Sequence, residues 1–234
     1  MNVLQVKISG RLAHFRKVYS NSTSLSYYFP PRTTIIGILA SALGRERNSY
    51  YEEFSPERLS VAVEALTPLK KLIFSESYLK IKKVNYIMLR GLNGRVPTAR
   101  EFIAPNDGDH LTYAFYFYPA RPELREAFKR PFFPLSLGPA NLLAWVEDVR
   151  ELECREVRKM DGMEIYGAAP ADLFIGESQG AEVVVEDAVP RAFIGGRRTG
   201  KLSSYFFSVN ARPYLIRSGS ASGIECEGRA LAFL

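Results

Sequence analysis

Polar and apolar residues alternate from the start of the chain. Val3, Gln5 and Lys7 alternate with Leu4, Val6 and Ile8, a period of two that predicts a strand over residues 2–9. A polar loop over residues 16–24 follows, and Pro30-Pro31 stops any regular element. Thr33 or Thr34 then caps a predicted helix over 33–43, which ends at Gly44. That helix is apolar nearly all round, so it is expected to be buried, with Gly37, Ala40 and Ser41 small enough for close approach to a sheet. Residues 59–66 form a second predicted strand, and residues 72–104 read as an extended hairpin turning at Asn93-Gly94. Residues 111–118 are strongly β-prone. Pro122 opens a short helix to about Phe128, and a turn near Pro139–Leu143 leads into a strand over 144–149.

The order is β-α-β, an inserted hairpin, then β-α-β. This predicts an α+β, ferredoxin-like domain over residues 1–150, the pattern shared with RNA-recognition domains. The hairpin occupies about residues 70–104 of it. Residues 151–234 carry short β-prone runs and many glycines, which predict a smaller β-rich domain.

Composition fits a folded chain of this kind. Of 234 residues, 47% are apolar, enough for a packed core. The formal charge of +6 and a sequence pI near 9.3 favour an anionic partner over a pocket for cationic substrates. The longest charge-free apolar stretch with helical character, residues 33–43, is well short of the roughly 20 residues that span a bilayer, so a cytoplasmic protein without membrane contact is expected. Cys154 and Cys226 are too far apart for a C-x-x-C pair and are expected to be two separate thiols. With only His14 and His110 beside them, no zinc site and no cofactor is expected.

The charge is concentrated. Between residues 70 and 100 stand Lys70, Lys71, Lys80, Lys82, Lys83, Arg90, Arg95 and Arg100, against the single acid Glu76. That surplus exceeds the charge of the whole chain. With Tyr78, Tyr86 and Met88 interleaved, it suits an arm that grips nucleic acid; it equally suits an edge hairpin kept from aggregating by its lysines. A second cluster is His14, Arg16, Lys17 and Arg32. Arg32 precedes the predicted helix, where an incoming phosphate would meet free amides and the Thr33 and Thr34 hydroxyls. A third is the stretch 195–201, Gly-Gly-Arg-Arg-Thr-Gly-Lys, with Arg197, Arg198 and Lys201. It matches seven positions of a nucleotide-binding P-loop, but Leu202 replaces the Mg²⁺-binding hydroxyl and a strand, not a helix, is predicted next. A basic loop against an RNA backbone and a plain hairpin turn both fit it better.

Several of these stretches resemble one family. Residues 10–16 (GRLAHFR) and 28–44, which include Tyr28-Phe29-Pro30-Pro31-Arg32-Thr33-Thr34, resemble the N-terminal signature of the Cas-five family of CRISPR-associated proteins, in the RAMP superfamily. Residues 97–103 resemble its arginine-glutamate-phenylalanine stretch, and residues 133–138 its proline-leucine-glycine element. The resemblance implies an RNA-binding subunit of a type I interference complex (Cascade) in antiviral defence. It would cap the 5′ handle of the crRNA, beside a Cas-seven backbone subunit and a large subunit, and meet target DNA only indirectly. The hairpin would correspond to the family's thumb. One branch of the family cleaves precursor RNA with a tyrosine, a lysine and a histidine. Here Asp109-His110 lacks the expected lysine, while His14 lies near Lys17 and Tyr19 in sequence, so a metal-free endoribonuclease is the alternative. A free-standing single-stranded RNA-binding module, using the aromatics of 111–118, is a third.

Overall fold

The computed structural model describes residues 1–20, 23–79, 94–176, 180–195 and 197–234. The described chain is mostly β. Its first part runs β1 (Asn2–Gly10), β2 (Phe15–Arg16), β3 (Ser26–Tyr27), α1 (Arg32–Ala42), β4 (Ser60–Ala65), β5 (Leu69–Leu79), β6 (Arg95–Pro105), β7 (Leu111–Tyr118), α2 (Pro122–Lys129), β8 (Leu135–Ser136) and β9 (Leu143–Glu153). Its second part runs β10 (Arg155–Val157), β11 (Met163–Tyr166), β12 (Ala168–Pro170), β13 (Phe174–Ile175), β14 (Val183–Pro190), β15 (Phe193–Ile194), β16 (Arg198–Thr199), β17 (Leu202–Ser208), β18 (Tyr214–Ser218), β19 (Gly223–Cys226) and β20 (Arg229–Ala232).

The first part is built on a five-stranded sheet in the order β4-β7-β1-β9-β8, with every neighbouring pair antiparallel. Alternation on β1 sorts its side chains between two cores. Leu4, Val6 and Ile8 join Ile35, Leu39, Phe115, Leu124 and Phe128 on the side covered by the helices. Val3 joins Ala62, Tyr116 and Leu152 on the other side, packed against Ile224 and Leu231 of the second part. The larger core also takes in Ala168, Val189, Tyr205, Phe207 and Leu234, so it draws on residues on both sides of position 150. Strands β5 and β6 leave the sheet as a two-stranded ribbon paired from Leu69↔Pro105 to Leu79↔Arg95. The predicted Asn93-Gly94 turn cannot be compared, since residues 80–93 lie outside the described residues.

Helix α1 begins at Arg32, with Pro31 as its N-cap and no side-chain cap from Thr33 or Thr34. Ile35, Ile36, Leu39 and Ala42 are buried, as the apolar pattern requires. Its small residues do not all meet a sheet: Gly37 and Ser41 line an open cleft, and only Ala40 is fully packed. Beyond the helix, Gly138 holds a tight crossing. Its φ is +120° and a Cβ there would lie 2.1 Å from the His14 carbonyl oxygen, so no other residue fits. That close approach lets the His14 amide donate to the Leu137 carbonyl at 2.9 Å.

The second part has a six-stranded sheet, β10-β19-β20-β11-β18-β13, and a three-stranded one, β12-β17-β14. Its pairing overturns the expectation of two separate thiols. β10 and β19 are antiparallel with Arg155 opposite Glu225, which sets Cys154 opposite Cys226 one step along. The two form a disulfide across 72 residues of sequence, with a Cα–Cα distance of 4.5 Å. Spacing in the sequence does not reveal a pair that only strand register creates. Among the described residues no helix is long and apolar enough to cross a membrane, and no group of His, Cys, Asp and Glu is placed to hold a metal.

Candidate nucleic-acid interface

The loop between β14 and β17 forms a small hairpin against the N-terminal end of α1. Strands β15 and β16 pair Phe193 with Thr199 and Ile194 with Arg198. Gly195 and Arg197, both with positive φ, make the turn, and the Gly200 amide closes it on the Ala192 carbonyl at 2.9 Å. Aromatic contacts fix its position: Phe193 meets Tyr51 edge-on with centroids 5.5 Å apart, and Tyr51 meets Tyr50 at 4.9 Å. Arg197, Arg198 and Lys201 stand exposed on this hairpin. A strand, β17, follows Lys201, so the geometry of a nucleotide-binding P-loop is not formed.

Three clefts adjoin there. One of about 280 Å³ lies along α1, lined by Thr33, Thr34, Ser41, Tyr50, Phe193 and Arg197. A second, of about 480 Å³, is bounded by Tyr51, Glu57, Arg191, Phe193 and Lys201. A third, of about 530 Å³, shares Arg191 and Lys201 and adds Ser203, Ser204, Ser220 and Ser222. Phe193 joins the first to the second, and the two cations join the second to the third. The three adjoining clefts thus bring cations, hydroxyls and aromatic rings side by side, with Glu52, Glu57 and Asp172 also in their walls; cations, hydroxyls and rings are the mixture that holds a single-stranded backbone and its bases. Arg191, Tyr50, Tyr51 and Phe193 were not picked out from the sequence. Arg191 had a signal, being one more cation on the segment that leads into the glycine loop; the tyrosines had none, because only the fold sets them beside that loop.

The hairpin β5–β6 carries a different surface. Arg100 lies over the Tyr78 ring at 5.3 Å and the Phe102 ring at 5.9 Å, and its Nη1 meets Glu76 at 3.0 Å. Phe74 packs against Phe102 with centroids 5.6 Å apart, yet remains 47% exposed, and Tyr78 is 39% exposed. Phe74 and Tyr78 thus present open rings on the ribbon, with Arg100 paired to Glu76 beside Tyr78. Arg95 is exposed further along the ribbon. Lys80, Lys82, Lys83 and Arg90 lie outside the described residues. Not all of the charge on this segment is free: Lys71 pairs with Glu101 and Glu186, and Lys70 donates to the Asn106 carbonyl.

Three of the residues expected to meet phosphate are instead committed to the interior. Arg32 is 3% exposed, and its Nη2 donates to the carbonyls of Phe54 and Leu59 at 2.7 Å each. Burial pushes its pKa down to about 10, so the guanidinium is an internal tie between the helix and the chain entering β4, not a surface cation at the helix terminus. Lys17 is paired with Glu186 at 2.5 Å. Burial alone would lower its pKa; the Glu186 carboxylate overrides this and raises it. His14 is 4% exposed. Its Nδ1 lies 2.7 Å from the Glu101 carbonyl, which only accepts, so Nδ1 carries the proton and Nε2 accepts from Ser24 Oγ at 3.0 Å. Burial also lowers its pKa, which fits this neutral form. With both ring nitrogens occupied and Lys17 held by Glu186, the His14–Lys17–Tyr19 grouping is not assembled as an acid–base centre. Arg16 remains exposed, its Nη2 donating to the Ser20 carbonyl at 3.0 Å. His110 is partly exposed and meets Asp109 at 2.6 Å.

Replacing Arg32 by alanine is therefore expected to destabilise the protein by about 2 kcal/mol. Two buried carbonyls lose a charged donor, while removal of the buried charge itself returns part of the loss. The folded variant should bind single-stranded RNA as the wild type does. A thermal melt with a filter-binding titration checks both; unchanged stability with weakened RNA binding would return Arg32 to the interface.

Comparison with known proteins agrees with this architecture. Over its whole length the chain superposes on a CRISPR protein from Archaeoglobus fulgidus, with a TM-score of 0.57 and 15% identity, covering 99% of that chain. It superposes on a chain of a CRISPR RNA-guided surveillance complex with a TM-score of 0.55 and 15% identity, covering 92% of this chain and 90% of that one. The fold is thus one found among CRISPR-associated proteins. The model of the family described as CRISPR-associated protein (Cas_Cas5) matches residues 3–205, and the chain belongs to that family. No curated protein matches it.

Proposed function

We propose that the chain is an RNA-binding subunit of a type I CRISPR interference complex that caps the 5′ handle of the crRNA and contacts the Cas-seven backbone and large subunits. The observation that carries this is the set of adjoining clefts at the end of α1, where Thr33, Thr34, Arg191, Arg197 and Lys201 come together beside three aromatic rings. These clefts take the handle, with Arg198 beside them and Arg16 at the surface of the β2–β3 loop. Phe74 and Tyr78 on the hairpin offer stacking faces, and Arg95 and Arg100 lie among them, with Lys80, Lys82, Lys83 and Arg90 assigned to the RNA from their charge alone. The element order and the antiparallel order β4-β7-β1-β9 support a ferredoxin-like domain in residues 1–150, followed by the smaller β-rich part in 151–234.

Two measurements test the reading. Coexpressed with its neighbouring gene products and a repeat array, the protein should co-purify with RNA of one uniform 5′ end; RNA with scattered 5′ ends would rule the capping role out. In vitro, Arg191→Glu, Arg197→Glu and Lys201→Glu combined should weaken RNA binding and flatten its salt dependence. With roughly 0.7 in the slope of log K against log salt for each phosphate contact on a single strand, the slope should fall by about 2. An unchanged slope would place the RNA elsewhere.

A further inference from the structure

The five-stranded sheet is unfinished at one edge. β8 pairs only with Leu143 and Ala144 of β9. From Trp145 to Glu153 the outer edge of β9 has no backbone partner among the described residues. At about 3.4 Å per residue this is a slot of roughly 30 Å, in line with β8. At its mouth lies a groove of about 450 Å³ between the turn at Phe132 and Phe133 and the strand at Ala144, Trp145 and Val146. That turn is held in place, its Phe132 and Phe133 amides donating to the Ala42 and Ser41 carbonyls at the end of α1. Phe132 and Phe133 are 70% and 48% exposed on the helix side of the sheet, and Leu143 and Trp145, 62% and 43% exposed, stand on its other face, so large apolar groups flank the edge on both sides.

The charge along this edge says what it takes. Although the protein is basic overall, β9 carries Glu147, Asp148, Glu151 and Glu153 against Arg150 alone. Among the described residues only Asp148 is paired with Lys or Arg, namely Lys7 and Arg150; Glu147 receives the Trp145 indole and lies 3.9 Å from His110. An acidic row repels RNA. A second copy of the chain would set two strands of net charge −3 side by side. A bulge at Glu147, where Lys7 faces Asp148 and Ile8 faces Val146, divides the edge and discourages indiscriminate pairing.

We propose that the β9 edge is a docking site for an extended, basic polypeptide segment of a protein partner. The segment adds as a sixth strand along this edge, sets lysines or arginines against Glu151 and Glu153 on the helix face, and turns its apolar side chains to the other face, beside Trp145. No residue lines both the groove at Phe132 and Phe133 and the clefts assigned to RNA, and the proposal holds whether or not those clefts take a crRNA handle.

Trp145 is the chain's single tryptophan, so its fluorescence reports directly on the site. The probe is a capped octapeptide of alternating valine and lysine, compared with a valine–glutamate peptide and with the valine–lysine peptide N-methylated at alternate residues. The lysine peptide should shift Trp145 emission to the blue and saturate. The other two should bind at least tenfold more weakly, the first for its charge and the second because it cannot complete the ladder. Glu151→Lys with Glu153→Lys should weaken the lysine peptide at least tenfold and leave affinity for single-stranded RNA unchanged. The proposal fails if the lysine peptide gives no saturable shift, or if the N-methylated peptide binds equally well. It also fails if Trp145 responds to RNA alone, which would make the occupant nucleic acid, or to protein concentration alone, which would make it a second copy.

Discussion

Loss of the Cys154–Cys226 disulfide is expected to destabilise the protein by about 4 kcal/mol, the chain-entropy estimate for a loop of this length. The bond closes 72 residues and joins the end of β9 to the end of β19. It thereby ties the last long strand of the first sheet to the sheet that covers that sheet's far face. Without it the reduced, unfolded chain regains the freedom of the whole intervening segment, while the folded state keeps its other contacts. For a chain of this size a loss of 1 kcal/mol lowers Tm by about 2–4 °C, so the midpoint should fall by roughly 8–16 °C. Alanine at both positions is the cleaner variant, since serines would place two hydroxyls where Cys154 and Cys226 are only 6% and 2% exposed. Melts of the oxidised protein, the reduced protein and the double-alanine variant make the comparison; coincident midpoints would show that the bond contributes nothing. The same burial predicts that a reductant acts slowly on the folded protein and quickly once urea opens it.

Elements were legible in the sequence where local pattern decides them. The alternation at residues 2–9, the Pro-Pro stop before α1, the β-prone run 111–118 and Pro122 at the head of α2 all set their elements within a residue or two, because each acts through its immediate neighbours. What a charged residue does was far less legible. Arg32 was expected beside a phosphate at the helix terminus, yet its partners are carbonyls 22 and 27 residues further on, brought there by the segment entering β4. Lys71 looked like part of an unpaired basic block, yet Glu101 and Glu186 neutralise it from 30 and 115 residues away. Such pairings depend on tertiary register, which charge density along the chain does not encode. The aromatic wall of the clefts was hidden for the same reason, since Tyr50, Tyr51 and Phe193 meet only when the glycine loop folds back on α1.

Glu186→Gln should lower stability by about 3 kcal/mol, the lower end of the range for breaking a buried ion pair by removing one partner. Glu186 is 2% exposed and sits at the bulge of β14, which turns its carboxylate inward. Its Oε1 accepts the Tyr28 amide at 3.0 Å and lies 3.8 Å from Lys71 Nζ, and its Oε2 lies 2.5 Å from Lys17 Nζ. Glu101 completes the group, 3.1 Å from Lys71 and accepting the Ser26 amide at 2.8 Å. Two carboxylates thus hold two ammonium groups where β2, β3, the base of the hairpin and β14 meet. Glutamine keeps the shape and can still accept from Tyr28, so the loss isolates the charge. One carboxylate is then left for the two cations, and only Tyr19 still works against the burial of Lys17. The direction with pH follows. In the wild type the Lys17 pKa is raised above 10.5, so its contribution is fully present below that value and is lost only as pH rises through the folded-state pKa. In the variant the folded-state pKa should fall below the unfolded value, so folding releases a proton and the deficit should shrink as pH rises towards 10. Urea titrations at pH 7 and pH 10 measure this. Adding Lys17→Met to Glu186→Gln should restore most of the stability, because the unpaired ammonium is removed along with its partner. A deficit that is the same at both pH values and in both variants would mean that the packing of Glu186, and not its charge, holds these strands together.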